Sequence, residues 1–148
     1  PMSDKPMEFR FRVRYAECDA QQVVFNARYA DYVDITINEY IRALFGDYRD
    51  MLKQGMDMQV VSMTLNWSAP AHFDDVLCGR VTVKHLGNTS FTLEVQFVRY
   101  PDDTPIARAE VVYVLVDPET LGKKPIPDDL RDRMQTAGRG TVISHAGE

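Results

Sequence analysis

Asp19 is the residue best placed to do chemistry. It stands in Tyr15-Ala16-Glu17-Cys18-Asp19-Ala20-Gln21-Gln22-Val23-Val24-Phe25-Asn26-Ala27-Arg28-Tyr29, where a strand-like alternation hands over to one long amphipathic helix pattern. The first amides of a helix have no partner within it. With the positive end of the helix dipole they suit an oxygen on which negative charge develops. Asp19 would act there as acid or nucleophile, with the turn and helix start supporting the oxyanion. Glu17 reads either as a raised-pKa partner acid or as a strand-end surface carboxylate. Cys18 adjoins Asp19, but alternation points it away, which favours a buried structural thiol over a nucleophile. His72, His85 and His145 show no ligand spacing, so no metal site is expected. Phe25 and Tyr29 read first as core aromatics, a role compatible with lining a pocket. Gln21 and Gln22 read equally as solvent-facing turn residues or as part of the site.

The elements that position this turn follow from periodicity. Phe9, Phe11, Val13 and Tyr15 alternate with Arg10, Arg12 and Arg14, a half-buried strand with arginines outward. The arginine row reads as a solvated face or interface rim before it reads as a phosphate site. Tyr29, Val33, Ile37, Tyr40, Ile41 and Leu44 form one helical stripe over residues 27–45. At about 1.5 Å per residue that helix runs roughly 28 Å, enough to cross five or six strands about 4.8 Å apart. Asn26 is the candidate N-cap and Gly46 the stop. Residues 46–57 read as a loop or short helix. Strands follow from Met58 to Ser68, Leu77 to Leu86, Phe91 to Phe97 and Ile106 to Val116. Turns at 86–89, 101–105 and 117–122 separate them. Pro127 to Met134 reads as a short helix. Beyond Thr136 the chain has little to bury and is expected to be disordered.

A strand, a long helix and then four strands make an α+β layer architecture: one helix over one face of an antiparallel sheet. One helix cannot cover such a sheet, so uncovered apolar area and open edges favour self-association. The 148 residues suit one domain, and a net charge of −5 argues against nucleic acid as a partner. No apolar run is long enough to span a bilayer. Pro1 to Pro6 read as an N-terminal extension without the apolar core of a signal peptide. Cys18 and Cys78 form no disulfide framework, which favours a reducing, cytoplasmic setting. There is no internal repeat.

With these residues in view, the chain resembles the hotdog fold and the 4-hydroxybenzoyl-CoA thioesterase type of acyl-CoA thioesterase. That turn carries an Asp, two residues, usually a glycine, two apolar residues, an aromatic, a variable residue often His or Tyr, and a Tyr three further on. Here those positions hold Asp19, Ala20-Gln21, Gln22, Val23-Val24, Phe25, Asn26 and Tyr29. Agreement continues through Asn66 to Asp75, the hairpin at Gly87 to Phe91, and Asp117-Pro118 with Pro125 and Pro127. It covers roughly residues 7–134, with 135–148 left as a tail.

The resemblance implies a helix on a five- or six-stranded antiparallel sheet, in homodimers or homotetramers with interfacial active sites. It implies an acyl-CoA substrate and no metal or redox cofactor. Asp19 would attack the thioester carbonyl or orient the attacking water, and the amide at Asn26 would hold the oxygen. Gln21, Gln22, Phe25 and Tyr29, with Thr89 and Ser90 of the hairpin loop, would contact substrate. Three departures stand out. Gln22 replaces a glycine whose backbone freedom other residues lack. Asn26 keeps a backbone donor but no side-chain proton role. The loop Gly87-Asn88-Thr89-Ser90 lacks the basic cluster that some members use for the nucleotide phosphates, leaving Arg80, Lys84, Arg99 or Lys123 to substitute. Two rival readings are a hotdog dehydratase or hydratase, disfavoured because no His precedes residue 72, and a non-catalytic acyl-ligand-binding module. A carrier-protein thioester is a variant of the first reading, slightly disfavoured by the acidic charge.

Overall fold

The structure is a computed structural model that describes residues 5–148. The six strands are β1 (Met7–Arg12), β2 (Asp57–Trp67), β3 (Val76–Leu86), β4 (Ser90–Tyr100), β5 (Thr104–Val116) and β6 (Val142–Ser144). They form one sheet in the order β2-β5-β4-β3-β1-β6. All neighbours are antiparallel except β6, which lies parallel to β1. Three helices accompany the sheet: α1 (Arg28–Phe45), α2 (Tyr48–Lys53) and α3 (Asp128–Thr136). This is the expected α+β hotdog architecture, with α1 as its central helix.

The apolar stripe of α1 builds the core. Tyr29, Tyr32, Val33, Ile37, Tyr40, Ile41 and Leu44 are all buried, in one cluster with Phe91, Leu93, Val95 and Phe97 of β4. Close approach to β3 depends on Gly79. A Cβ there would stand 2.7 Å from the Thr36 Cγ2 and 3.2 Å from the Phe97 ring. Thr36 is itself fixed by its hydroxyl donating to the Tyr32 carbonyl at 2.7 Å. Gly46 ends α1 at φ 90°, its amide bonded to the Arg42 carbonyl at 2.7 Å. Residues 48–53 do form a helix, because Asp47 accepts the Arg49 amide at 2.6 Å as a cap. Among the described residues no helix is long and apolar enough to cross a membrane.

Several expectations need correction. The first strand stops at Arg12 rather than Tyr15. The chain then enters a 3-10 turn at Tyr15–Glu17, which leaves Tyr15 78% exposed instead of inward. The alternation expected in β2 is broken by a register shift between Val60 and Ser62, and β2 is an edge strand, so Val60, Val61 and Trp67 are exposed. The tail is not a disordered segment here. Residues 142–144 pair with β1 as β6, and the His145 ring meets Phe9 edge-on at 4.9 Å. Glu148 bonds Arg10 at 3.0 Å. A backbone edge and a cation offered by β1 supply what the tail's own composition lacks.

Candidate active site

The Asp19 turn is a small hairpin. The Asp19 amide donates to the Val23 carbonyl at 2.9 Å, and the Gln22 amide to the Asp19 carbonyl at 2.9 Å. Cys18 pairs with Val24 beyond them. This hydrogen-bond pattern fits a turn closed by one left-handed residue, and that residue is Gln22, at φ 64°. The position where the related turns carry glycine therefore does take a conformation that favours glycine. Asp19 Oδ1 accepts the Gln21 amide at 2.8 Å, which fixes the carboxylate. Its Oδ2 has no partner among the described residues. Gln21 serves the turn through its amide, and its side chain, like that of Gln22, is exposed.

Glu17 is neither a surface carboxylate nor a raised-pKa acid. It is 6% exposed. Its Oε1 accepts the Arg14 amide and the Tyr32 hydroxyl, each at 2.8 Å, and its Oε2 accepts two guanidinium nitrogens of Arg14 at 2.9 and 2.7 Å. Burial pushes the Glu17 carboxyl up, but the Arg14 amide, the Arg14 guanidinium and the Tyr32 hydroxyl together hold it below its ordinary value. Glu17 thus ties the turn to the core side of α1. Cys18 is partly exposed. Burial, then the charges of Glu17 and Asp19, push its thiol up, so it stays protonated and is a poor nucleophile.

The start of α1 differs from expectation in one respect. The N-cap position is Ala27, with no side-chain cap, so Asn26 does not cap the helix. The Arg28 and Tyr29 amides bond to the carbonyls of Phe25 and Asn26 at 2.9 and 3.3 Å. The amides of Asn26 and Ala27 have no acceptor among the described residues. An uncapped helix start that leaves two exposed N–H groups is a ready anion site. Tyr29 is buried and its hydroxyl, through burial first, is pushed up to about 12. Phe25, read as a core aromatic, is instead 53% exposed.

Asp19 and Asn26 line different clefts of the protomer. Asp19 shares one of about 530 Å³ with Tyr15, Cys18, Ala20, Gln22 and Phe73. Asn26 shares one of about 290 Å³ with Val23, Tyr29, Trp67 and the 68–70 segment. The consecutive residues Gln22 and Val23 divide the two. Thr89 and Ser90 line neither cleft. Both are partly buried in the β3–β4 hairpin, where the Ser90 carbonyl accepts the Gly87 amide at 2.7 Å.

Sequence reasoning missed the segment opposite the turn. Val23 pairs with His72, and the Phe73 amide donates to the Gln22 carbonyl at 3.0 Å. This contact spans some fifty residues, and no local pattern announces it. The His72 imidazole faces Asp75 at 3.8 Å. Of the cations proposed for phosphates, Arg80 is held by Glu8 and Asp103, Lys84 by Glu110 and Glu94, and Arg99 by Asp75 and Asp102. Lys123 has no ion pair among the described residues.

Comparison with known proteins agrees with this architecture. The putative esterase of Aquifex aeolicus is 24% identical over 111 residues, covering 75% of this chain and 85% of that protein. The acyl-CoA thioester hydrolase YbgC of Escherichia coli O157:H7 is 27% identical over 119 residues, covering 80% and 88%. A 4-hydroxybenzoyl-CoA thioesterase, solved as an Asp-to-Asn variant with 4-hydroxybenzoyl-CoA, superposes with a TM-score of 0.77 at 21% identity, covering 88% of this chain and 99% of that one. The family profile described as "Thioesterase-like superfamily" matches residues 13–134, from just after β1 into α3, and this chain belongs to that superfamily.

Proposed function

We propose that this protein hydrolyses acyl-CoA thioesters to the free acid and coenzyme A. The observation that carries the reading is a fixed carboxylate, Asp19, on the same short segment as two amides, Asn26 and Ala27, that have no acceptor among the described residues, in a chain of the thioesterase-like superfamily. Asp19 attacks the thioester carbonyl or takes a proton from the attacking water. The Asn26 amide, backed by the start of α1, stabilises the oxygen on which charge develops. The reaction so written uses side chains, amides and water, and needs no metal or redox cofactor. The named activity of the YbgC relative supports the substrate class.

The complete site belongs to a homodimer or homotetramer. In the protomer, Asp19 and Asn26 occupy adjoining but separate clefts, and Trp67, at the end of the open edge strand β2, walls the second. A second copy set against β2 would cover Val60, Val61, Trp67 and Phe25 and turn two open clefts into one enclosed site. Phe25 and Tyr29 then flank the acyl group, with Gln21 and Gln22 at its mouth. Lys123, near Thr89 and Ser90 through the Ile126 amide bonded to the Asn88 carbonyl at 2.9 Å, is the cation for the nucleotide phosphates. The unpaired Cys18 and Cys78 support a reducing compartment such as the cytoplasm.

The test is a thiol-release screen of the purified protein over short, long, branched and aromatic acyl-CoAs. At least one should turn over. Tight binding of acyl-CoA with no thiol released from any of them would favour the binding-module reading, which the separation of the two clefts keeps open. Enoyl hydration without thiol release would favour the hydratase.

A further inference from the structure

We propose that the groove between β3 and α3 binds an anionic amphiphile: one carboxylate or phosphate head on an apolar body. The groove holds about 490 Å³, roughly sixteen water volumes at about 30 Å³ each, room for a head group and a chain of about eight carbons. Its apolar lining is the partly exposed Val83 and Leu86, over the nearly covered Met7, Tyr40, Val81 and Met134. Its basic lining residues are Lys84, His85 and Arg139, and among the described residues no acidic side chain lines it. In a chain with 22 acidic and 17 basic residues, a groove whose ionisable lining among the described residues is Lys84, His85 and Arg139 favours anions.

The local backbone supports this. β3 has a bulge at Lys84: Val83 pairs with Leu93 and His85 with Thr92, leaving Lys84 as the extra residue. A regular strand sends consecutive side chains to opposite faces. The bulge re-aims them, and Lys84 and His85 both line this groove. Lys84 is shared with Glu110 and Glu94. His85 and Arg139 have no acidic partner among the described residues, so they are the groups that would meet the head. Arg139 and Tyr40 line the same groove, and burial pushes the Tyr40 hydroxyl up. The Tyr40 hydroxyl donates to the Met134 carbonyl at 2.6 Å, so it is already satisfied and leaves the head group to the basic side chains.

The groove shares no lining residue with the Asp19 or Asn26 clefts. It lies beside the Met7–Val81 pair of the β1–β3 ladder, whereas the Asp19 turn follows the Arg12–Val76 end. Five residues of strand separate the two ends by about 17 Å. The proposal therefore stands whether or not the chain is a thioesterase.

The test is a titration of the full chain with octanoate, octyl phosphate and octanol, followed by NMR of the Val81, Val83 and Met134 methyl groups. At least one anion should bind ten times or more tighter than octanol. The double variant His85→Gln, Arg139→Gln should lose that advantage while keeping its folded spectrum, and Asp19→Asn should keep it. Preference for octanoate or for octyl phosphate identifies the head group. A Val83→Trp variant, which fills the groove, should abolish binding. The proposal is overturned if octanol binds as well as both anions, if the double variant binds unchanged, or if the shifts fall at Trp67 and Phe73 instead.

Discussion

Gln22 carries a backbone conformation that its side chain resists, at φ 64° beside the catalytic candidate. A left-handed residue other than glycine costs about 1–2 kcal/mol, whereas glycine adds about 0.5–1 kcal/mol of chain entropy. Gln22→Gly should therefore stabilise the fold by up to about 1 kcal/mol, read as a higher denaturation midpoint at unchanged m-value. A lower midpoint would mean that the Gln22 side chain makes contacts worth more than the strain. Glu17 makes the opposite kind of contribution. Its folded pKa lies below the ordinary 4.5, so its stabilisation is fully present above about pH 4.5 and fades as pH falls through the lowered value. Glu17→Gln should cost about 1–3 kcal/mol near neutrality, because the buried Tyr32 hydroxyl and the Arg14 amide lose a charged acceptor. The gap between variant and wild type should narrow below pH 4.5 in urea unfolding series. A gap that stays constant with pH would show that the pairing with Arg14 and Tyr32 contributes nothing as an ion.

At the scale of elements, Gly79 is what lets the sheet meet α1. Gly79→Ala pushes a methyl group against Thr36 and Phe97, and overpacking of this kind typically costs about 1–3 kcal/mol. Thr36→Ser, which removes the clashing Cγ2, should recover part of that loss in the double variant, as thermal melts would show. Additive losses would contradict the contact. The elements themselves were legible because period is local: the stripe of α1 and the alternation of β4 each declare a face. What was not legible depends on neighbours distant in sequence. The burial of Glu17 needs Tyr32 across the core, the exposure of Trp67 follows from the edge position of β2, and β6 exists only because β1 offers an open edge. The Asp19 turn is legible from residue types, whereas its partners His72 and Phe73 come from the β2–β3 connection some fifty residues away.

For the whole molecule, the sheet ends in two edge strands of unequal length, the three-residue β6 and the eleven-residue β2. β6 and Glu148 cover β1, while β2 keeps its outer backbone open with Val60 and Val61 exposed at 52% and 59%. A charge on an edge strand is a common block to edge pairing. Val61→Lys should leave the protomer folded, shift light scattering from the oligomer toward 16.9 kDa, and reduce thioester turnover together with assembly. A monomeric wild type, or a monomeric variant with full activity, would remove the partner from the site.

The proposed hydrolysis depends on Asp19 acting at a thioester carbon. The direct measurement is single-turnover thiol release by wild type and Asp19→Asn, at matched oligomeric state, on whichever acyl-CoA the screen finds fastest. Loss of a positioned carboxylate acting as base is worth about 10²–10⁴ in rate, so the variant should fall by at least a hundredfold while still binding substrate. Release within threefold of wild type would contradict the mechanism.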